Sequence, residues 1–551
     1  LIHTGGAAAA TQVRDAIVAD PNVLAAQING TVNYVRTSFV PNDPYFPPNV
    51  PTLGDPGQWY LNNTVVPGRD ARVQGAWDQN VIGTGVRIGI IDDGFDTAHA
   101  DLASNYAGAS SFDFGQNDAD PSPVLSTDNH GTAMAGLVAA TGGNGVGITG
   151  VAPGATWAGL RINFDAPTTA QFVDATLHES SGASQSIDIK LHTYATTTRF
   201  LNAAAEEAAL ATSTADGTIH VFAVGNNRSG VAQDANTKDL QNSQHAITVA
   251  AMASDGKYAS YSAYGPNVFV TAPSNSPVAG MMPVLTTDRT GADGLNPLED
   301  TFADLDYSLK VSGTSSAAAI VAGALALAKE VQPNLDTRMA KHLLAMTSDV
   351  IDAADASPTS DSGWQTNAAG FTFNPNYGFG LVDASELVQL AGQYNGVTPL
   401  QTETATVNTS FTVPDNTTTY SQLGLTMDST TPLEEVLVTL DFTHLSRGQL
   451  EFELQSPEGT RRRLLNSHLS DTGDHLQWTL LSNAYWGEDP SGIWRLFVRD
   501  RQAGTVGTIN SFEITLLMGE LVVPEPASAV LFILGSVMML RRSTRRRTVG
   551  E

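Results

Sequence analysis

From residue 59 to about residue 394, short apolar runs alternate with segments whose apolar positions recur at helical spacing. The runs Val86–Ile91, Thr156–Ile162, Ile187–His192, Ile219–Val224, Ala246–Ala251 and Asn267–Thr271 predict strands. Segments His130–Ala140, Ala170–Glu179, Arg199–Ala211, Ser315–Val331 and Asp336–Met346 predict helices. Strands that stay apolar without alternation are buried on both faces, so the pattern predicts an α/β fold with a parallel sheet covered by helices on both sides. After about Thr398 the period changes. The runs Glu435–Phe442, Gln449–Gln455, Trp478–Leu481, Trp494–Val498 and Ser511–Leu517 alternate between turn residues, which predicts an all-β sandwich. A Pro/Asn/Gly-rich stretch from Pro41 to Gly57 sets off an Ala- and Val-rich N-terminal segment. The last part, Ala527–Leu540, is uncharged and mostly apolar and runs into Arg541, Arg542, Arg545, Arg546 and Arg547. These shifts divide the chain into residues 1–40, 41–395, 396–520 and 521–551.

Composition narrows the function classes. With 551 residues, 42% of them hydrophobic and 15% charged, the chain is long enough for several packed cores. A net charge of -28 would be repelled by a nucleic-acid backbone, so no nucleic-acid partner is expected. There is no cysteine, which removes thiol nucleophiles, disulfides and Cys-ligated zinc together. An exported protein of this kind depends on its core or on bound cations.

Three segments place polar side chains where bland ones would serve. In VRIGIIDDGFD an apolar strand ends in Asp92 and Asp93; in DNHGTAMAGLVAA His130 opens a helix of small residues; in SGTSSAAAIVAGALALA Ser315 opens another. Asp, His and Ser together suffice for acyl transfer: Ser attacks a carbonyl, His takes its proton and Asp fixes the imidazole tautomer. A fourth segment, VFAVGNN, brings Asn226 to the end of a strand, where its amide can donate to an oxyanion. Each segment alone reads more simply as a turn or a helix cap. Their joint occurrence within one α/β region is what points to catalysis.

These DDG, HGT, GN and GTS segments resemble the Asp, His, oxyanion Asn and Ser motifs of subtilisin-like serine peptidases, and within them the kexin/furin-like group. The resemblance extends to QWYL at Gln58–Leu61, RDARVQGAWDQNVIGTGV, DLASNY and YGFGLVDASELV at Tyr377–Val388. It implies a subtilisin-like fold and a serine endopeptidase acting on proteins or peptides, with Asp92, His130 and Ser315 as the triad and Asn226 at the oxyanion. The segments LVTLDFTHLSRGQLEFELQSPEGT, WGEDPSGIWRLFVRD and GTINSFEITLLMG resemble the jelly-roll-like P-domain of convertases. The rival class is a binding or scaffold protein that keeps the fold without the activity.

The resemblance also implies calcium. Asp113, Asp118 and Asp120 in FDFGQNDADP match one family site, and clustered carboxylates suit a hard cation. A second site is implied by Asp101, Asn144 and the carbonyls of Thr141, Val146 and Ile148, completed by Asp43 or Asp55. The substrate-pairing stretch departs from the family: Thr193, Tyr194 and Ala195, then Thr196–Thr198, stand where convertases carry acidic residues that receive a basic side chain. A buried Lys or Arg would lack its counter-charge there, so strict cleavage after paired basic residues is not expected. Asp93 is expected to favour a basic residue one position upstream. Ala319 stands where the family usually has Pro.

Residues 10–37 resemble the tail of an inhibitory propeptide, a plain extension being the other reading. The segment VVPEPASAVLFILGSVMMLRRSTRRR resembles a bacterial PEP-CTERM sorting signal, which implies an exosortase-type partner, export, a transient inner-membrane anchor and delivery to the cell surface or beyond. As a helix Ala527–Leu540 would span about 21 Å, short of a hydrocarbon core of about 30 Å. The arginines would stay cytoplasmic, and a permanent single-span anchor is the alternative.

Overall fold

A computed structural model describes residues 12–13, 15–17, 19, 38–46, 56–180, 186–296 and 302–523. Residues 1–38 form one unit, of which the described residues Gln12–Val13 and Asp15–Ile17 are helical. Of residues 10–37, read as a propeptide tail, only Gln12, Val13, Asp15–Ile17 and Ala19 are described; the sorting signal from Pro524 onward and Asp55 lie outside the described residues.

The unit Phe39–Glu551 contains two sheet systems. The first is a seven-stranded parallel sheet of order β2-β3-β1-β4-β5-β6-β7. Its strands are β1 (Arg87–Asp92), β2 (Phe112–Asp113), β3 (Thr156–Arg161), β4 (Ile189–His192), β5 (Ile219–Ala223), β6 (Ala246–Met252) and β7 (Val270–Pro273). Successive side chains of a strand point to opposite faces, and here they join different clusters. Ile88 and Ile90 pack with the main core, whereas Ile91 packs with Leu160 and Ala175 on the other side. Both faces of the sheet are therefore buried, which is why its strands carry no polar alternation.

Helices α1 (Val73–Trp77), α2 (His130–Ala139), α3 (Thr169–Leu177), α4 (Ala204–Ala215), α5 (Thr314–Val331), α6 (Thr337–Thr347) and α7 (Ala384–Ala391) surround the sheet. Helix α5 is buried from Thr314 to Lys329. Its small side chains allow this close packing, and among the described residues it is the one helix long and apolar enough to cross a membrane by length and composition. Its burial identifies it as a core helix. The chain winds in opposite directions on the two sides of β1, whose neighbours are β3 and β4. Such a reversal opens a crevice at the carboxyl ends of the strands.

Two short antiparallel pairs follow, β8 (Thr286–Thr287) with β9 (Tyr307–Ser308) and β10 (Gln365–Thr366) with β11 (Thr372–Phe373). The second system is a sandwich of two four-stranded antiparallel sheets, β12-β19-β14-β17 and β13-β18-β15-β16. Its strands are β12 (Gln401–Val413), β13 (Ser421–Met427), β14 (Leu433–Thr443), β15 (Leu450–Gln455), β16 (Arg461–Leu465), β17 (His475–Ser482), β18 (Gly492–Asp500) and β19 (Gly507–Met518). Trp494, Leu496 and Val498 of β18 alternate inward onto Phe452, Phe512 and Ile514.

The two systems interlock. Trp486 leaves the sandwich and packs edge-on against Phe269, Phe379 and His342. Glu434 accepts from Arg338 Nη2 at 2.6 Å and lies 2.9 Å from His342 Nε2, and Glu435 accepts from Lys341 Nζ at 2.7 Å.

One predicted helix starts late. Arg199–Ala203 is not helical, because Phe200, at φ 53°, packs on Trp478 of β17 with Arg447 over its ring. Asn202 Oδ1 then accepts from Ala204 N at 2.9 Å, and the helix begins there.

Candidate active site

The site is assembled from the ends of β1, β4 and β5 and the starts of α2 and α5. Asp92 ends β1 and is 2% exposed. His130 begins α2, and its Nδ1 lies 2.8 Å from Asp92 Oδ2 and 3.0 Å from Oδ1. What fixes this approach is Asp93, whose carboxylate accepts from the backbone N–H of His130 at 3.1 Å and of Gly131 at 2.8 Å. Those N–H groups have no partner within the helix, and a carboxylate there also complements the helix dipole. A β-carbon at Gly131 would sit 2.4 Å from Gly94 O, so only glycine lets the turn after β1 come this close to α2. Asp93, expected to face substrate, has its carboxylate turned onto the helix instead.

Electrostatics follow from this packing. Burial by itself would push the His130 imidazole down, but the charge and hydrogen bond of Asp92 and the charge of Asp93 raise its pKa to about 9. Burial, aided by the nearby Asp92 charge, raises Asp93 to about 7.

Ser315 lies in the first turn of α5 after Gly313, whose φ of 124° suits glycine. Its Oγ donates to the carbonyl of Thr193 at 2.9 Å rather than to His130. Such bonds are often loose without substrate and tighten when it binds. Asn226 Oδ1 accepts from Thr314 N at 2.8 Å and Thr314 Oγ1 at 3.0 Å. That leaves its Nδ2 without a partner among the described residues, pointing a donor at the mouth of the site.

Thr193, Tyr194, Ala195, Thr196 and Thr197 line one side of a cleft of about 190 Å³ that Asn226 and Ser315 close on the other. Tyr194 is held from behind, its hydroxyl 2.9 Å from His192 Nδ1, while His192 Nε2 lies 2.9 Å from His220 Nδ1. Burial pushes both imidazoles well below the usual range, so this support is uncharged. Gln241 Nε2 donates to Tyr194 O at 3.1 Å and to Ala223 O at 3.3 Å, tying the two cleft walls together. Neither the His pair nor Gln241 carries a local sequence signal. Ala319 is fully buried in the second turn of α5.

The two carboxylate groups proposed for cations differ in structure. Asp43 accepts from the N–H of Gly143 at 2.8 Å and of Asn144 and Gly145 at 3.1 Å. Asp101 accepts from Asn144 Nδ2 at 2.9 Å and from Ile148 N and Tyr307 Oη at 2.8 Å. Thus Asp43, Asp101 and Asn144 meet on the loop Thr141–Ile148. Both carboxyls are raised by burial, and no Lys or Arg pairs with either among the described residues. These two buried carboxylates, without a cationic partner, are the oxygen groups here that suit a hard cation, which would take the place of some of their N–H and O–H donors. Asp113 instead forms a buried ion pair with Arg161 Nη1, which lies 3.0 Å from Oδ2. Asp118 and Asp120 are exposed, and their carboxylates accept from Asp120 N and Ser122 N, closing local turns. The three do not converge, and no cluster of three acidic or imidazole groups suited to a metal occurs among the described residues.

Residues 83–380, more than half of the chain, match the Subtilase family. The chain belongs to the subtilase family. In this subtilase, residues 433–516 match the proprotein convertase P-domain. It is similar to the dibasic-processing endoprotease of Schizosaccharomyces pombe, 31% identical over 84% of this chain and 65% of that protein. It is also similar to the extracellular serine protease of Aeromonas sobria, 29% identical over 81% of this chain and 84% of that protein. The crystal structure of that Aeromonas protease with its chaperone superposes with a TM-score of 0.76 and 26% identity, over 84% of this chain and 94% of the other. The subtilase spans about three fifths of the length of the first curated relatives it matches, 65% of the yeast protein and 59% of human proprotein convertase subtilisin/kexin type 7.

Proposed function

We propose that this subtilase is a serine endopeptidase that cleaves proteins or peptides through Ser315. What supports the reading is the Asp92–His130 pair at the end of β1, together with Ser315 at the start of a buried helix with its Oγ on the carbonyl of Thr193, and Asn226 held by Thr314. On substrate binding the Ser315 hydroxyl exchanges Thr193 O for His130 Nε2, which takes its proton as Oγ attacks the carbonyl. Asp92 holds the other imidazole nitrogen and stabilises the imidazolium. Asn226 Nδ2 donates to the oxygen that becomes negative. His130 then gives its proton to the leaving amine, and water releases the acyl group by the same steps in reverse.

Asp43, Asp101, Asn144 and the carbonyls of Thr141, Val146 and Ile148 are the residues that would hold calcium. The cation would supply the positive charge that the buried carboxylates lack and would stiffen the loop. Cleavage after paired basic residues is not part of the proposal, because the cleft beside Ser315 contains no carboxylate. Export and C-terminal sorting by an exosortase-type enzyme, with brief membrane anchoring, remain the reading of the Pro524–Arg547 segment.

The test is hydrolysis of fluorescein-labelled casein by the wild type and by Ser315→Ala. Loss of turnover by about a million-fold in the variant supports the proposal. Equal rates in both would remove Ser315 from the chemistry, and no hydrolysis by either would favour the binding or scaffold reading.

A further inference from the structure

The cleft beside Ser315 has a charge behind its wall. Its lining residues are all uncharged, and Ser315 and Asn226 form one edge. The side chain that enters it therefore belongs to the residue whose carbonyl Ser315 attacks, the P1 residue. Gly225 lines the cleft next to Asn226, and its α-carbon faces the side chain of Lys238, which is fully buried. A β-carbon on Gly225 would stand 2.3 Å from Lys238 Nζ, so only the bare glycine backbone separates this ammonium from the cleft.

The ammonium is incompletely partnered. Its Nζ donates to Val224 O at 2.7 Å and to Asn227 Oδ1 at 2.9 Å, which uses two of its three N–H bonds. Lys190 provides the contrast: also buried, it has three acceptors, Thr176 O, His178 O and Ser180 Oγ. No carboxylate pairs with Lys238 among the described residues; burial lowers its pKa to about 7, which the Asp234 charge offsets only in part, and a carboxylate in the cleft would hold it charged. A buried cation without a counter-charge is costly, and a ligand carboxylate relieves that cost. A Lys or Arg side chain in the same cleft would meet neutral walls with a positive charge behind them.

We propose that Lys238 makes this cleft selective for a P1 residue bearing a carboxylate, aspartate or glutamate, and against a basic P1 residue. The proposal rests on the serine endopeptidase reading and specifies its substrate class. Attraction between the two charges across Gly225, without a direct hydrogen bond, is expected to discriminate on the order of 10-fold between a carboxylate and its neutral isostere.

The experiment measures kcat/KM for fluorogenic peptides that differ only at P1, with Glu, Gln and Arg, in the full chain and in Lys238→Met and Lys238→Gln. The wild type is expected to favour Glu over Gln by about 10-fold and over Arg by more. In Lys238→Met the Glu:Gln ratio should fall towards one. Lys238→Gln keeps a polar group that can donate to Val224 O but removes the charge, and should lower the ratio as well, so the proposal does not depend on one variant folding. A wild type that favours Arg, or cleaves Glu no faster than Gln, overturns the proposal. So does a ratio unchanged in both variants. Labelling of Ser315 by a fluorophosphonate separates the two layers. A labelled enzyme that prefers Arg overturns the specificity alone, whereas an unlabelled protein that cleaves none of the peptides overturns the endopeptidase reading with it.

Discussion

At the residue scale, Asn226 and His130 carry the clearest consequences. The amide of Asn226 is free because its carbonyl oxygen is tied to Thr314, which fixes the orientation of the donor before substrate arrives. Asn226→Ala should therefore lower kcat by about 100- to 1000-fold with little change in KM, checked by steady-state kinetics on one peptide. His130 must be neutral to accept a proton, yet Asp92 and Asp93 raise it to about 9. Since the folded value lies above the ordinary 6.5, kcat/KM of the free enzyme should rise as pH increases and level off only near 9. Asp93→Asn removes one of the charges that raises it, so the rising limb should move to lower pH. A pH–rate profile of the two proteins checks the direction, and coincident limbs would contradict the assignment. The same pairing stabilises the fold fully below pH 6.5 and less as pH rises through about 9, because the native state then loses the proton it holds more tightly.

At the element scale, helix α6 and the loop after β17 join the catalytic part to the sandwich. Arg338, Lys341 and His342 of α6 face Glu434 and Glu435. Removing one partner of a largely buried charge set strands the others, so Glu434→Ala should destabilise the protein by roughly 3 kcal/mol in urea unfolding. Trp486→Ala should cost about 3–5 kcal/mol, since its indole packs in the core of the catalytic part. The same elements show what the sequence makes legible. Strands β1 and β3 to β7 announce themselves because both faces are buried, whereas the two-residue β2 is too short to; the catalytic segments stand out because each lies at an element boundary with short-range cues. The edge strand Gln401–Val413 turns only Ala405, Val407, Phe411 and Val413 inward among threonines, a weak alternation, and goes unannounced. Arg199–Ala203 has helical composition but is drawn out by Trp478, a partner far along the chain. Asp113 reads as a cation ligand from its acidic neighbours, whereas Arg161, brought in by the neighbouring strand, claims it. Lys238 gives no sign in its own stretch, since its meaning comes from lying behind Gly225.

At the scale of the whole molecule, a chain without cysteines relies on its two interlocked cores and on the loop that gathers Asp43, Asp101 and Asn144. If that loop holds calcium, saturating it at 100 times Kd adds about 2.7 kcal/mol of stability. Chelation should then lower Tm, and Asp101→Asn should abolish the difference; superimposable melting curves with and without chelator would exclude the site. The proposal that Ser315 is a nucleophile activated by His130 rests on the crevice at the strand ends, the Asp92–His130 pair and the start of α5. The most direct measurement is intact-mass analysis with peptide mapping after treatment of the folded protein with a fluorophosphonate. The account predicts a single adduct on Ser315, absent in Ser315→Ala and formed far more slowly in His130→Ala. No adduct on the folded wild type, or an adduct that persists in Ser315→Ala, would contradict it.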